Sequence, residues 1–141
     1  MEKDTAKLLE ELKEFDSFSD FYSENKEELA VVSLSEYLEN LITEKGLNKS
    51  DIVENSEMSE VYAYQIISGI KTHPKREKVL CLAFGMHLDC DETQKMLKKT
   101  GYAPLYAKNP FDAVVIYGLY KNLSIVEVNN LLFEYGQNTL G

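Results

Sequence analysis

The stretch that decides the fold runs Asn48-Lys-Ser-Asp-Ile-Val-Glu-Asn-Ser-Glu-Met-Ser-Glu-Val-Tyr-Ala-Tyr-Gln-Ile-Ile-Ser-Gly69. Its spacing predicts two short helices joined by a tight turn. Asn48 can cap the first helix, and Ile52 and Val53 supply its inner face. Met58 plugs the turn and Ser59 caps the second helix. Ala63, Ile66 and Ile67 form the inner face of that helix, and Gly69 ends it. Two helices with so short a connection make a helix-turn-helix.

Capping signals continue on both sides. Upstream, Ser33-Leu-Ser-Glu36 reads as a capping box opening a helix to Lys45, with Leu34, Leu38, Leu41 and Ile42 inward and Gly46 after it. Downstream, Pro74 suits the first turn of a helix from Lys75 to His87 that buries Val79, Leu82, Ala83 and Met86. Asp89-Cys-Asp-Glu92 starts another, with Met96 and Leu97 inward and Gly101 at its end. Five helices from 33 to 101 therefore form the predicted central domain.

Residues 1–32 read as an acidic helical N-terminal extension. Leu8, Leu9, Leu12 and Phe15 mark one amphipathic helix, and Ser17-Phe-Ser-Asp20 opens a second, running to about Glu28. Residues 102–141 read as a C-terminal helical pair packed on the core. Asn109-Pro110 is a helix start, and the apolar run Ala113 to Tyr120, strand-like in its β-branched residues, is expected as a buried helix. Ser124-Ile-Val-Glu127 opens the last helix, with Val128, Leu131, Leu132 and Tyr135 expected on one face. The predicted class is all-α, with eight or nine helices.

Charge is unevenly distributed over the 141 residues. The net charge of −9 divides into −6 over residues 1–32, −5 over 33–69, +3 over 70–101 and −1 over 102–141. An evenly spread negative charge repels nucleic acid, but here a basic segment follows the helix-turn-helix directly. The charged N-terminus lacks a signal-peptide core, and no apolar run reaches membrane-spanning length. Cys81 and Cys90 are too few to staple a secreted fold, so a cytoplasmic protein is expected. Cys81, His87 and Cys90 lack a fourth ligand and zinc-like spacing. The serines sit at caps without a histidine partner, and there is no glycine-rich phosphate loop. Neither a metal, a cofactor nor an enzymatic activity is expected.

The order of helices in 33–101 resembles the lambda repressor/Cro-like helix-turn-helix family, often called the XRE family. The residues that carry the likeness are Ile52 and Val53, Met58-Ser59 at the turn, Ile66 and Gly69, with Val79, Leu82 and Ala83 downstream. The segment from Gly101, especially Gly-Tyr-Ala-Pro-Leu, is similar to an extension of some bacterial members. Four positions depart from the family pattern. Val53 stands where a small residue is usual, Glu57 where the turn has glycine, Lys49 where glutamine is frequent, and Ile67 where glutamate is frequent. The resemblance implies a bacterial DNA-binding transcriptional regulator with a lambda-repressor-like five-helix core, acting on double-stranded DNA, possible as a homodimer.

Carried over by position, the base-reading residues would be Ser59, Glu60, Val61, Tyr62 and Gln65, with Tyr64 alongside. Gln65 suits adenine, Glu60 cytosine N4 and Val61 a thymine methyl. Lys49, Lys71, His73, Lys75 and Arg76 would grip phosphates. Asp51, Glu54, Glu57 and Glu60 oppose that use, because each subtracts from the counterion release that drives DNA binding. The alternative expectation is an adaptor that keeps the scaffold and binds a protein through its acidic or tyrosine-bearing surface.

Overall fold

The computed structural model describes residues 3–29 and 31–141, and among them it contains ten helices and no strand. The chain divides into two compact units between Val31 and Val32.

The first unit holds α1 (Thr5–Glu14), α2 (Phe18–Glu24) and α3 (Lys26–Leu29). Asp4 caps α1 and Ser17 caps α2. Its buried centre is small: Phe21 with Phe15 edge-on at 5.8 Å, and Asn25 held by the Lys3 ammonium, which also pairs with Glu11. Leu9, Leu12, Phe18, Tyr22 and Leu29 stay exposed.

The second unit comprises α4 (Leu34–Lys45), α5 (Lys49–Asn55), α6 (Glu60–Ser68), α7 (Arg76–Gly85), α8 (Cys90–Lys99), α9 (Pro110–Tyr120) and α10 (Ile125–Glu134). Local chemistry sets these boundaries. Asn48 accepts from the amides of Ser50 and Asp51, and Ser59 accepts from Tyr62. Asp89 and Ser124 form complete capping boxes with Glu92 and Glu127. Ser33 accepts from the Glu36 amide, one of the two bonds that a full box would have. The αL glycines Gly46 and Gly69 close α4 and α6.

The core is a single cluster running through all seven of these helices. Its axis is α7, in which every residue from Val79 to Gly85 is buried. The face expected for this helix is thus widened: Leu80 and Phe84 are inside as well, beside Cys81, which was expected to be buried, because α9 and α10 contribute Val115, Leu119, Val128 and Leu132 to the same core. A helix apolar all round belongs at a centre. Gly85 permits the crossing of α5 and α7, since a Cβ there would lie 2.6 Å from the Ile52 carbonyl oxygen.

Four further expectations are corrected. α7 begins one residue later than expected, with Lys75 as its cap and the buried Pro74 before it; the Tyr102 hydroxyl donates to the Pro74 carbonyl. His87, expected inside α7, has φ +55 and turns the chain, while the Leu88 amide returns to the Ala83 carbonyl. α9 is a helix, but one with an outer face: Tyr117 and Tyr120 are exposed. Tyr135, expected inward, is the cap residue after α10 and lies 67% exposed.

Candidate recognition surface

The surface under test is built on α5, the turn 56–59 and α6. Three contacts hold it in place. The buried Ser56 hydroxyl donates to the Val53 carbonyl at 2.7 Å, the Ser35 hydroxyl donates to the Ile67 carbonyl at 2.7 Å, and Ala63, Ile66 and Ile67 lie in the core. Glu57 takes φ +56 in the turn, a left-handed conformation in which a Cβ is unfavourable. Met58 is partly buried against the core.

Of the residues expected to read bases, Ser59, Glu60, Val61 and Tyr64 are exposed, and Gln65 is half-buried. Tyr62 departs from that group. It packs against the core, and the Lys78 ammonium sits 5.6 Å from its ring centre.

The expected phosphate grip does not assemble from all five of its members. Lys49 pairs with Glu39 at 2.8 Å. The Arg76 guanidinium pairs with the buried Asp112 carboxylate and also donates to the carbonyls of Ala103 and Pro104. It therefore ties the start of α7 to the connector and to α9. Lys71, His73 and Lys75 remain exposed.

Two shallow depressions flank the start of α6. One, of about 450 Å³, is lined by Ser50, Val53, Glu54, Glu57, Met58, Glu60 and Tyr64. The other, of about 660 Å³, is lined by Ser59, Tyr62, Lys75, Glu77, Lys78, Thr139 and Gly141. Three carboxylates thus gather on one side of α6, and two ammonium groups with the single carboxylate of Glu77 on the other. Asp51 adds a further exposed carboxylate on α5.

Sequence reasoning missed two contributors to this surface. One is Lys78, whose spacing gave no sign that it would turn toward Tyr62. The other is the segment after α10, where Leu140 is buried and Asn129 holds its backbone. The isolated leucine in Asn138-Thr-Leu-Gly141 is the one sequence signal for that docking.

The thiols of Cys81 and Cys90 are both buried. Burial pushes the Cys81 thiol up to about 11, the neighbouring Lys78 acting weakly against it. No group of three or more histidine, cysteine or acidic side chains able to hold a metal ion occurs among the described residues. No helix among them is long and apolar enough to cross a membrane. No family model, curated protein or solved structure matches the chain.

Proposed function

We propose that residues 33–101 form a helix-turn-helix core of the lambda-repressor type, and that the protein is an adaptor using this scaffold to bind another protein. The scaffold reading is supported by the order α4 to α8, by the cap at the start of both α5 and α6, and by Glu57 in a left-handed turn position. That is the position at which the resembled family has glycine. The observation carrying the functional reading is the split charge around α6. Glu54, Glu57 and Glu60 rim one depression, while of the five groups expected to hold phosphates Arg76 is committed to the buried Asp112 and Lys49 faces Glu39 in a surface pair. A duplex presents one sign of charge along its length, and its binding is driven by neutralising several phosphates. A protein surface can present both signs and can bury Tyr64 and Val61 as apolar anchors. The partner that fits is a surface with a basic patch facing Glu54, Glu57 and Glu60.

The second reading is a DNA-binding transcriptional regulator, and the observation in its favour is the exposed loop cluster Lys71, His73 and Lys75. Genomic-fragment capture at two salt concentrations separates the two readings. The adaptor reading expects no fragment retained by the wild-type chain even at low salt. It also expects that reversing Glu54, Glu57 and Glu60 to lysine creates salt-sensitive DNA retention where there was none. Retention of specific fragments by the wild type would overturn the adaptor reading. The DNA reading then requires Gln65→Ala to relax sequence preference and Lys75→Ala to weaken all sites alike.

A further inference from the structure

Beyond α10 the chain turns back on itself. Gly136, with φ +72 and open space where a Cβ would stand, is the pivot. The Gln137 amide donates to the Leu132 carbonyl at 2.8 Å, which closes the helix. From there the segment 137–141 is held at one place. The Asn129 side chain accepts from the Leu140 amide at 2.7 Å and donates to the Leu140 carbonyl at 3.1 Å, while the Leu140 side chain enters the core. This grip reads the amide and the carbonyl of one residue and its apolar side chain. It brings Thr139 and Gly141 to the depression that also contains Ser59, Tyr62 and Lys75, and a Cβ on Gly141 would lie 3.8 Å from the Glu57 carbonyl oxygen. The segment therefore lies beside both the turn 56–59 and the start of α6.

We propose that residues 137–141 are a detachable strap, an internal ligand of the Leu140 socket whose release vacates that socket and uncovers the half-buried Tyr62 on α6. The argument is one of balance. Ordering the segment costs chain entropy for every residue, and it is opposed by one buried leucine, the two hydrogen bonds to Asn129 and the bonds that Gln137 donates to the end of α10. The neighbouring helix α10, by contrast, is anchored by Ile125, Val128 and Leu132, each buried to 2% exposure or less. Such an imbalance gives a locally opening unit on a closed body. When the strap opens, Asn129 and the socket are vacated, and Tyr62, half-buried in the depression that Thr139 and Gly141 line, becomes approachable. The opening stands apart from the functional reading above; its role in admitting a partner rests on that reading.

Amide hydrogen exchange on the full chain tests the opening. The Leu140 amide is expected to exchange at least about tenfold faster than that of Val128. Asn129→Ala is expected to raise Leu140 exchange by a further factor of about ten while Val128 changes less than about twofold. Exchange of Leu140 and Val128 at one common rate, or equal acceleration of both by Asn129→Ala, would overturn the proposal. Access is tested with Tyr62→Cys, at a half-buried position in the shared depression, alkylated by a bulky maleimide. The native thiols are buried, so the reaction reports on position 62. Leu140→Ala in that background, which empties the socket and leaves Asn129 in place, is expected to speed alkylation severalfold. An unchanged rate would rule out the strap as a gate. Neither readout needs a partner, so a failure here is distinct from a failure of the adaptor reading.

Discussion

The Arg76 guanidinium reaches three acceptors: the Asp112 carboxylate and the carbonyls of Ala103 and Pro104. Asp112 is 3% exposed and also accepts from the Tyr106 amide at 2.9 Å. In the linear sequence Arg76 is one of a run of basic residues after Gly69, indistinguishable from a phosphate contact. Removing one member of a buried pair strands the other, at about 3 kcal/mol. Arg76→Ala is therefore expected to lower unfolding free energy by about 3 kcal/mol in urea titrations; a purely surface role would keep the change within about 0.5 kcal/mol. Glu57 is the opposite case, a residue whose backbone works against it. At φ +56 a side chain is strained and a glycine is not. Glu57→Gly is expected to raise stability by about 0.5 kcal/mol, the relief of strain exceeding the entropy that glycine adds to the unfolded chain. A shift in the denaturation midpoint measures it.

Among the elements, α7 carries the unit, and its contact with α5 depends on an absent side chain. Gly85→Ala substitutes a better helix former, worth about 1 kcal/mol in isolation. The added methyl would meet the Ile52 carbonyl at 2.6 Å and Ser56 at 3.2 Å. The clash prevails because backbone and a buried turn residue must move, so a net loss of about 2 kcal/mol is expected in thermal or urea unfolding. A second link joins α4 to α8, where Lys45 pairs with Glu92 at 2.6 Å. The Lys45 ammonium, and after it the Asp89 amide, holds the Glu92 carboxyl below the usual carboxylate range. A depressed folded-state pKa gives stability that is present above the unfolded value and lost as pH falls through the folded one. Glu92→Gln keeps the cap bond and loses the charge. Its stability deficit is expected at neutral pH and should close progressively below the ordinary glutamate value of about 4.3; a deficit constant down to low pH would contradict this. The strap is the weakest element. About 2 kcal/mol for the buried leucine and about 1 kcal/mol for each hydrogen bond face about 1 kcal/mol per ordered residue, which leaves it near balance.

For the whole molecule, the distribution of charge matters more than its total. The basic segment after Gly69 looks continuous in the sequence, yet the fold disperses it: Arg76 into an internal pair, Lys78 over Tyr62, and Lys71 and Lys75 to the surface. Burial also decides the chemistry of the thiols. Cys81 lies on the central helix with its thiol pushed up to about 11, and Cys90 is raised as well, by burial first and then by the Asp91 carboxylate. The folded chain is therefore expected to show no fast-reacting thiol toward a disulfide reagent at pH 8, and both in urea. One rapidly reacting equivalent under native conditions would contradict the burial of Cys81 on α7 or of Cys90 at the start of α8.

Local features were legible in the sequence because their causes are local. The caps at Asn48, Ser59, Asp89, Asn109 and Ser124, the closing glycines Gly46 and Gly69, and the inner residues of α5 and α6 follow from spacing within one or two turns. An all-α class follows from the same signals. What only the tertiary structure decided was the company each side chain keeps. The pairing of Arg76 with Asp112, the enclosure of α7 on all sides, the glycine contact at Gly85 and the Leu140 socket each join residues distant in sequence. Neither periodicity nor capping chemistry encodes a partner that far away; packing selects it when the whole core closes. The same holds for the surface around α6: its residue types were readable from 48–69, but the division into an acidic side and a side of mixed charge came from the start of α7 brought against it.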